Sequence, residues 1–232
     1  LEENQQTVTG LAGGNAEKLM AYAEKANMGR DMAQICAAAL AVAEVNASMG
    51  RIVAAPTAGA CGVLPAVLVN YQKEKGTADE QIVRALYTAA GIGQVVAARA
   101  YIAGASGGCQ AEIGTASAMA AGALTALGGG TPSQITHAAA MALKNLLGLV
   151  CDPVGGLVEV PCVKRNVIGS VNALSAADMA LAGIISRIPP DQVIDAMREV
   201  GDQMHPSLRE TGQGGLANTP AAREWCAAQE EE

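Results

Sequence analysis

Apolar residues recur every three to four positions along most of this chain, which is the spacing of an amphipathic α-helix. In residues 15–27, Leu19, Tyr22 and Ala23 share one face, and charged residues occupy the opposite face. Glycine and proline separate the segments. The pattern predicts helices over residues 15–27, 31–48, 63–74, 77–99, 109–127, 131–149, 167–185, 190–200 and 220–228. No segment alternates like a strand, so we expect an all-α fold.

Several segment ends carry the residues that start or stop helices. Asp31 is expected to cap the second helix, and Thr77 begins a segment with capping-box character. Pro132 stands at a first helical position, and Gly76 ends the helix before Thr77. These signals favour many helices of ordinary length.

Composition indicates how these helices pack. Half of the 232 residues are hydrophobic, aromatic residues make up 2%, phenylalanine is absent and there are 27 glycines. The core must therefore consist of small and aliphatic side chains, which lets helices approach closely. We expect one compact domain over residues 1–232, with at least eight Ala/Gly-rich helices and glycine/proline loops that converge on a cysteine site.

A long uncharged stretch raises the question of a membrane span. Residues 113–143 contain no charged residue and are long enough to cross a bilayer. The stretch contains three consecutive glycines at 128–130 and then Pro132, and many of its residues are only mildly apolar. Two buried helices joined by a glycine-rich turn are the better interpretation.

Charge and cysteine content narrow the function class. The formal net charge is −7 and basic residues are scattered, which argues against nucleic acid or anionic membranes as partners. The N-terminus lacks the pattern of a secretory signal. Six cysteines in such a chain indicate free thiols or metal ligands rather than a disulfide scaffold, and a reducing cytoplasm is expected.

Three cysteines stand beside residues that turn the backbone. Cys109 follows two glycines, Cys151 precedes Asp-Pro, and Cys162 follows a proline. Their separations contain no CxxC pair, which argues against a zinc ribbon or a thioredoxin-type redox site. The spacing is compatible with a cluster gathered from three segments, and also with three buried thiols.

A glycine-rich loop precedes the third predicted helix. Residues 51–62 include Pro56, Gly59 and Gly62, which break the helical periodicity. Such a loop can present backbone N–H groups to an anion at a helix start, although a tight turn explains the pattern equally well. The ending of a Walker A motif is absent.

Four long motifs carry a family resemblance: VNASMGRIVAAPTAGACGVLP, GCQAEIG, CDPVGGLVEVPCVKRN and ETGQGGLA. They resemble the catalytic alpha domain of bacterial iron–sulfur L-serine dehydratases, and the likeness extends from about residue 9 to residue 219. The resemblance implies a [4Fe–4S] cluster held by Cys109, Cys151 and Cys162, with one iron left open. It implies conversion of L-serine, through aminoacrylate, to pyruvate and ammonia.

The resemblance also indicates residues on the substrate side. It favours Thr57 and Gly59 as a cradle for the substrate carboxylate. Asn46 and Ser48 are further substrate-binding candidates, with helix capping or packing as the alternative. Cys61 is left out of the ligand set because family members often carry serine there.

Two residues that closely follow Cys162 are the catalytic candidates. Lys164 and Asn166 could hydrogen-bond the substrate or support the ligands, and a solvated loop is the alternative.

Four other residues have side chains that could belong to the site. Glu112 lies one helical turn after Cys109 and is either a polar support or an ordinary helix-start acid. His137 and His205 are interpreted as structural rather than catalytic. Cys226 is considered as a fourth cluster ligand, by analogy with a C-terminal cysteine of single-chain relatives.

The resemblance implies that this chain does not act alone. Family members carry a beta portion with an SSSHT-like motif that is absent here, and a segment that precedes the present N-terminus. We therefore expect a beta chain as partner and an oligomer. The same chemistry on L-threonine or L-cysteine, and a non-catalytic helical module with inert thiols, are the competing hypotheses.

Overall fold

The computed structural model describes residues 7–230 and confirms the all-α fold. Over this range the chain forms ten α-helices, and its one β-type pairing is an isolated bridge between Cys151 and Arg209. The helices are α1 Asn15–Tyr22, α2 Arg30–Ala47, α3 Val63–Lys75, α4 Asp79–Arg99, α5 Gly104–Gly107, α6 Thr115–Leu127, α7 Pro132–Lys144, α8 Cys162–Leu181, α9 Pro190–Gln203 and α10 Pro220–Glu230.

The predicted helix starts are partly confirmed. Pro132 is the first residue of α7, and Gly76 ends α3 in the left-handed conformation. The predicted caps at Asp31 and Thr77 are wrong. The N-cap of α2 is Gly29, with Asp31 inside the first turn, and the N-cap of α4 is Ala78; neither cap has a side-chain hydrogen bond.

The segment at residues 145–161, which carries Cys151 and leads to Cys162, is here called the cysteine loop. The helices on either side of it differ from their predicted bounds. α7 ends at Lys144 rather than at residue 149. Turns follow it, in which Leu146 N donates to Leu143 O and Leu147 N to Lys144 O, and then Gly148 adopts a positive φ of 86° and donates its N–H to Gln110 Oε1. α8 begins at Cys162, five residues before the predicted start at 167. The periodicity missed this first turn because Asn166, which looks like a surface residue, is completely buried.

α6 lies at the centre of the core. Every residue from 115 to 125 is buried, and the helix packs against α3, α4, α7 and α8. Five of these eleven residues are alanine and one is glycine, so neighbouring helices come close. Gly93 of α4 faces Met119 of α6, where an added Cβ would lie 3.0 Å from the sulfur. Small side chains thus set the helix spacing.

The uncharged stretch forms two helices, as expected. α6 and α7 are joined by the turn at residues 128–130. Among the described residues, no helix combines the length and the hydropathy needed to cross a bilayer.

The last helix packs on the loop that follows Cys151. A Cβ on Gly155 would lie 3.0 Å from the ring of Trp225 and 3.7 Å from Cys226 Sγ. α10 therefore covers the segment that connects Cys151 to Cys162.

Candidate functional site

Cys109 is held on a turn between α5 and α6. Gly108 has a φ of 75°, which favours glycine, and a Cβ there would lie 2.6 Å from Met204 Cε. The next residue, Gln110, donates its backbone N–H to Leu149 O at 2.9 Å. Cys109 itself is 1% exposed. The turn is therefore fixed from both sides of the cysteine.

Cys151 is fixed through its backbone. Its N–H donates to Leu208 O at 2.8 Å, and its carbonyl accepts from Glu210 N at 2.7 Å. These bonds bring the segment that contains ETGQGGLA against the cysteine loop. A distant sequence motif thus helps to place a buried thiol.

Cys162 is the first residue of α8 and is buried. Burial raises the pKa of its thiol to about 12, and the charge of Cys109 adds to that effect. Cys162 therefore lies within electrostatic reach of Cys109.

The side chains meet in a compact group. Cys109 Sγ, Cys151 Sγ and a carboxylate oxygen of Glu112 all lie within 4.8 Å of one another. Cys162 does not belong to this tight triad. Glu112, an open question in the sequence, is thus placed directly at the site.

Electrostatics distinguishes the two thiols of the triad. A hydrogen bond from Cys151, supported by the positive charge of Arg165, lowers the pKa of Cys109. The same hydrogen bond and burial raise the pKa of Cys151. Desolvation raises the pKa of the Glu112 carboxyl. Cys109 is accordingly the thiol most disposed to carry negative charge.

Arg165 is a site residue that the sequence analysis missed. Its guanidinium donates to Cys109 Sγ at 3.3 Å, to Val150 O at 2.7 Å and to Asp152 Oδ1 at 2.8 Å. Asp152 accepts a further bond from Leu216 N at 2.8 Å. The only available signal was its place between the two catalytic candidates after Cys162. The residues that its guanidinium contacts lie 13 to 56 positions away along the chain, and no motif pairs them with Arg165.

The predicted substrate loop lies against the same group. A Cβ on Gly59 would lie 3.4 Å from both carboxylate oxygens of Glu112. The Thr57 hydroxyl lies close enough to Glu112 to offset part of the rise in the pKa of that carboxyl, yet within residues 7–230 this buried hydroxyl makes no hydrogen bond of good geometry. Thr57 and Gly59 are thus beside the cysteine group.

Asn166 holds this loop on α8. Its Oδ1 accepts from Gly62 N at 2.9 Å, and its Nδ2 donates to Gly59 O at 2.9 Å and to Cys162 O at 3.0 Å. The side chain is buried and both amide hydrogens are engaged. Its catalytic role stays a prediction, and its contacts connect the substrate loop to Cys162.

The remaining candidates have fewer contacts with the group. Lys164 is exposed on α8. Asn46 and Ser48 lie at the end of α2, where the Ser48 hydroxyl donates to Glu44 O at 2.8 Å. That bond agrees with the capping alternative for Ser48. The proposed roles of these three residues stay predictions.

The histidines and the last cysteine lie in other settings. His137 is half-buried on α7, and its Nδ1 has no hydrogen-bond partner among residues 7–230. His205 is exposed after α9 and accepts from Ser207 N at 3.2 Å. Cys226 is half-buried beside Gly155. Within residues 7–230, the group that could hold a metal consists of Cys109, Glu112 and Cys151 and does not include Cys226.

The donor set fits a metal group. Thiols select soft metals and iron–sulfur clusters, and here two of them meet one carboxylate with a third buried thiol nearby. A Cβ on Gly104 would lie 2.8 Å from Cys151 Sγ and 2.9 Å from Glu112 Oε2, so glycine leaves the sulfur side open. The residues present can therefore hold such a group.

Comparison with known proteins identifies the family of the chain. The family model described as "Serine dehydratase alpha chain" matches residues 1–217. A "Probable L-serine dehydratase, alpha chain" of Bacillus subtilis is 56% identical over 224 residues, covering 96% of this chain and 75% of the relative.

More distant relatives carry related names. The "L-serine dehydratase, alpha chain" of Peptoniphilus asaccharolyticus is 48% identical, covering 94% of this chain and 76% of the relative. The "L-serine dehydratase TdcG" of Escherichia coli is 49% identical, but the match covers 77% of this chain and only 40% of that longer relative. The resemblance drawn from the motifs is confirmed, and the chain belongs to the serine dehydratase alpha chain family.

Proposed function

We propose that this chain is the iron–sulfur-binding catalytic chain of an L-serine dehydratase, a lyase that converts L-serine to pyruvate and ammonia. The observation that carries the proposal is the meeting of Cys109 Sγ, Cys151 Sγ and a Glu112 oxygen within 4.8 Å. Family membership and the names of the relatives support the substrate.

The proposed cofactor is a [4Fe–4S] cluster with Cys109, Cys151 and Cys162 as its ligands. When bound by three cysteines, such a cluster supplies an iron with an open position, which acts as a Lewis acid toward a departing hydroxyl group. Arg165 donates to Cys109 Sγ and favours the thiolate that ligation requires.

The substrate is proposed to lie between the cysteine group and the loop at residues 57–62. Thr57 offers a buried hydroxyl that makes no hydrogen bond of good geometry with residues 7–230, and Gly59 allows close approach of a ligand to the backbone. Asn166 positions this loop through its bonds to Gly59 and Gly62. Lys164 is proposed to contact the substrate from the exposed start of α8.

A beta chain is the proposed partner, and the cytoplasm is the proposed location. The alpha-chain names of the Bacillus and Peptoniphilus relatives imply a second chain. The longer Escherichia relative supports a further portion of the enzyme, since this chain matches only 40% of its length.

Asn46 and Ser48, at the end of α2, are proposed to complete the wall of the substrate site.

Anaerobic reconstitution with iron and sulfide tests the proposal. We expect the wild type to bind about four iron atoms per chain and to become brown. Cys151→Ala should lose this colour. Cys36→Ala is the matched control, because Cys36 is also buried but its sulfur contacts Met28, outside the site.

Activity provides the second part of the test. The reconstituted chain with an added beta chain should form pyruvate from L-serine faster than it forms 2-oxobutyrate from L-threonine or pyruvate from L-cysteine. A wild type that binds no iron, or equal iron in both cysteine variants, would contradict the proposal.

A further inference from the structure

A buried carboxylate outside the cysteine group connects that group to the N-terminal segment. Glu159 is 3% exposed, and it forms no salt bridge within the described part of the chain. Its Oε1 accepts from Thr9 N at 3.1 Å, and its Oε2 accepts from Ala12 N at 3.3 Å. Two backbone N–H groups thus compensate the burial of this side chain.

The backbone of Glu159 belongs to the cysteine loop. Its N–H donates to Leu157 O at 2.8 Å, and its carbonyl accepts from Val163 N at 3.0 Å. The second bond closes the turn that contains Cys162, the first residue of α8. The same residue therefore binds the N-terminal segment and helps to form the turn that holds a proposed iron ligand.

Residues 7–12, here called the strap, are anchored independently. Val8 N donates to Ala47 O at 3.1 Å, which attaches the strap to the end of α2. Ala12 packs in a small apolar cluster that includes Val163, the neighbour of Cys162. Because the strap contacts both α2 and α8, it can hold the cysteine loop in one position relative to these helices.

We propose that Glu159 is a positioning residue for Cys162, acting by fixing the cysteine loop to the strap. This inference rests on the proposed function only in so far as Cys162 ligates iron. Glutamine at this position would turn an NH₂ group toward one of the two N–H donors and lose at least one hydrogen bond. The turn at Cys162 then opens more often.

The chain offers a matched control in Glu44 on α2. Glu44 is 5% exposed and accepts from Asn15 N at 2.8 Å and from Ala16 N at 3.5 Å. It is also a buried carboxylate that binds two N–H groups of the N-terminal segment. It lies outside the cysteine loop, so its loss removes similar bonds without freeing Cys162.

The experiment compares Glu159→Gln, Glu159→Asp and Glu44→Gln in the full chain. In the reduced apoprotein, peptide mass spectrometry measures the rate at which iodoacetamide alkylates Cys162. The melting temperature of each variant is measured as well. In the reconstituted protein, iron release to a chelator is followed by absorbance. Glu159→Asp keeps the charge but is too short to reach both donors, and it provides the comparison if Glu159→Gln does not fold.

In both Glu159 variants, we expect iodoacetamide to modify Cys162 about tenfold faster than in the wild type. We expect iron release to be faster by a similar factor. Glu44→Gln should lower the melting temperature without either effect. Equal changes in the Glu44 and Glu159 variants, or unchanged Cys162 alkylation, would overturn the inference. The alkylation measurement needs no iron, so a wild type that binds none would refute the proposed function and leave this test standing.

Discussion

Arg165 joins separate parts of the cysteine site through one side chain. It donates to a thiol, to a carbonyl and to the carboxylate of Asp152, whose side chain is 4% exposed. Lysine could not replace it, since only the planar guanidinium presents several donors in fixed directions. Losing one member of a buried ion pair leaves an uncompensated charge, which is costly.

Replacing this side chain should therefore destabilise the fold. We expect Arg165→Met to lower the free energy of unfolding of the apoprotein by about 3 kcal/mol, because Asp152 stays buried without its cation. Urea denaturation followed by circular dichroism measures the change.

Lys164→Met is the control for that measurement. Lys164 is adjacent in sequence but exposed, and its loss should change stability by less than about 0.5 kcal/mol. Equal stability of the two variants would show that the buried ion pair contributes nothing.

At this scale the sequence indicates the cysteines but not the residues that hold them. The motif around Cys162 makes Asn166 a candidate, but it gives no sign of Arg165 and does not identify the partners of either residue. Their partners include Cys109, 56 residues from Arg165, and Gly62, 104 residues from Asn166. No local pattern contains such pairings, because they exist only after the helices have packed.

At the scale of helices, glycine lowers the stability of the fold at one position and is required for close packing at another. Gly91 of α4 is exposed and a Cβ there would meet nothing within 4 Å. On α8, a Cβ on Gly169 would lie 2.8 Å from Val63 Cγ2 and 3.0 Å from Ile113 Cγ2. Both neighbours are β-branched and cannot easily turn away.

These two glycines should respond oppositely to alanine. Gly91→Ala should raise the free energy of unfolding by about 1 kcal/mol through helix propensity. Gly169→Ala should lower it by about 2 kcal/mol through overpacking. Thermal and urea unfolding of both variants checks the sign, and a gain in both would mean that α8 has room to move.

Helix existence was predictable from periodicity, but helix ends near the site were not. α6 follows from a long uncharged run of mostly small residues. The start of α8 does not, because Cys162 and Asn166 are buried by contacts with distant loops rather than by their own pattern. Tertiary contacts outweigh local preference there.

At the scale of the whole molecule, the six thiols lie in unequal surroundings. Five are buried, and Cys226 is half-buried on α10. Cys61 lines an apolar cavity of about 590 Å³ formed with residues such as Val45 and Leu68, and burial raises its pKa to about 11. Burial likewise raises the pKa of Cys36.

Alkylation of the native chain should therefore modify Cys226 before Cys36 and Cys61. We expect iodoacetamide at neutral pH to modify it roughly tenfold faster than Cys36 or Cys61, whose thiolates are scarce and shielded. Peptide mass spectrometry gives the order, and urea-unfolded protein is the control, in which all six should react alike. Fast labelling of Cys61 would show that its cavity opens to solvent.

The packing of α10 on the cysteine loop has a practical consequence. The chain contains one tryptophan, Trp225, and its ring lies against Gly155. In the sequence, Gly155 stands between Cys151 and Cys162, two of the proposed iron ligands. The protein thus has a built-in fluorophore beside its candidate site. A coloured cluster there would quench the emission by energy transfer, and a displaced loop would shift its wavelength. Loading of the site can accordingly be followed in real time without any attached label.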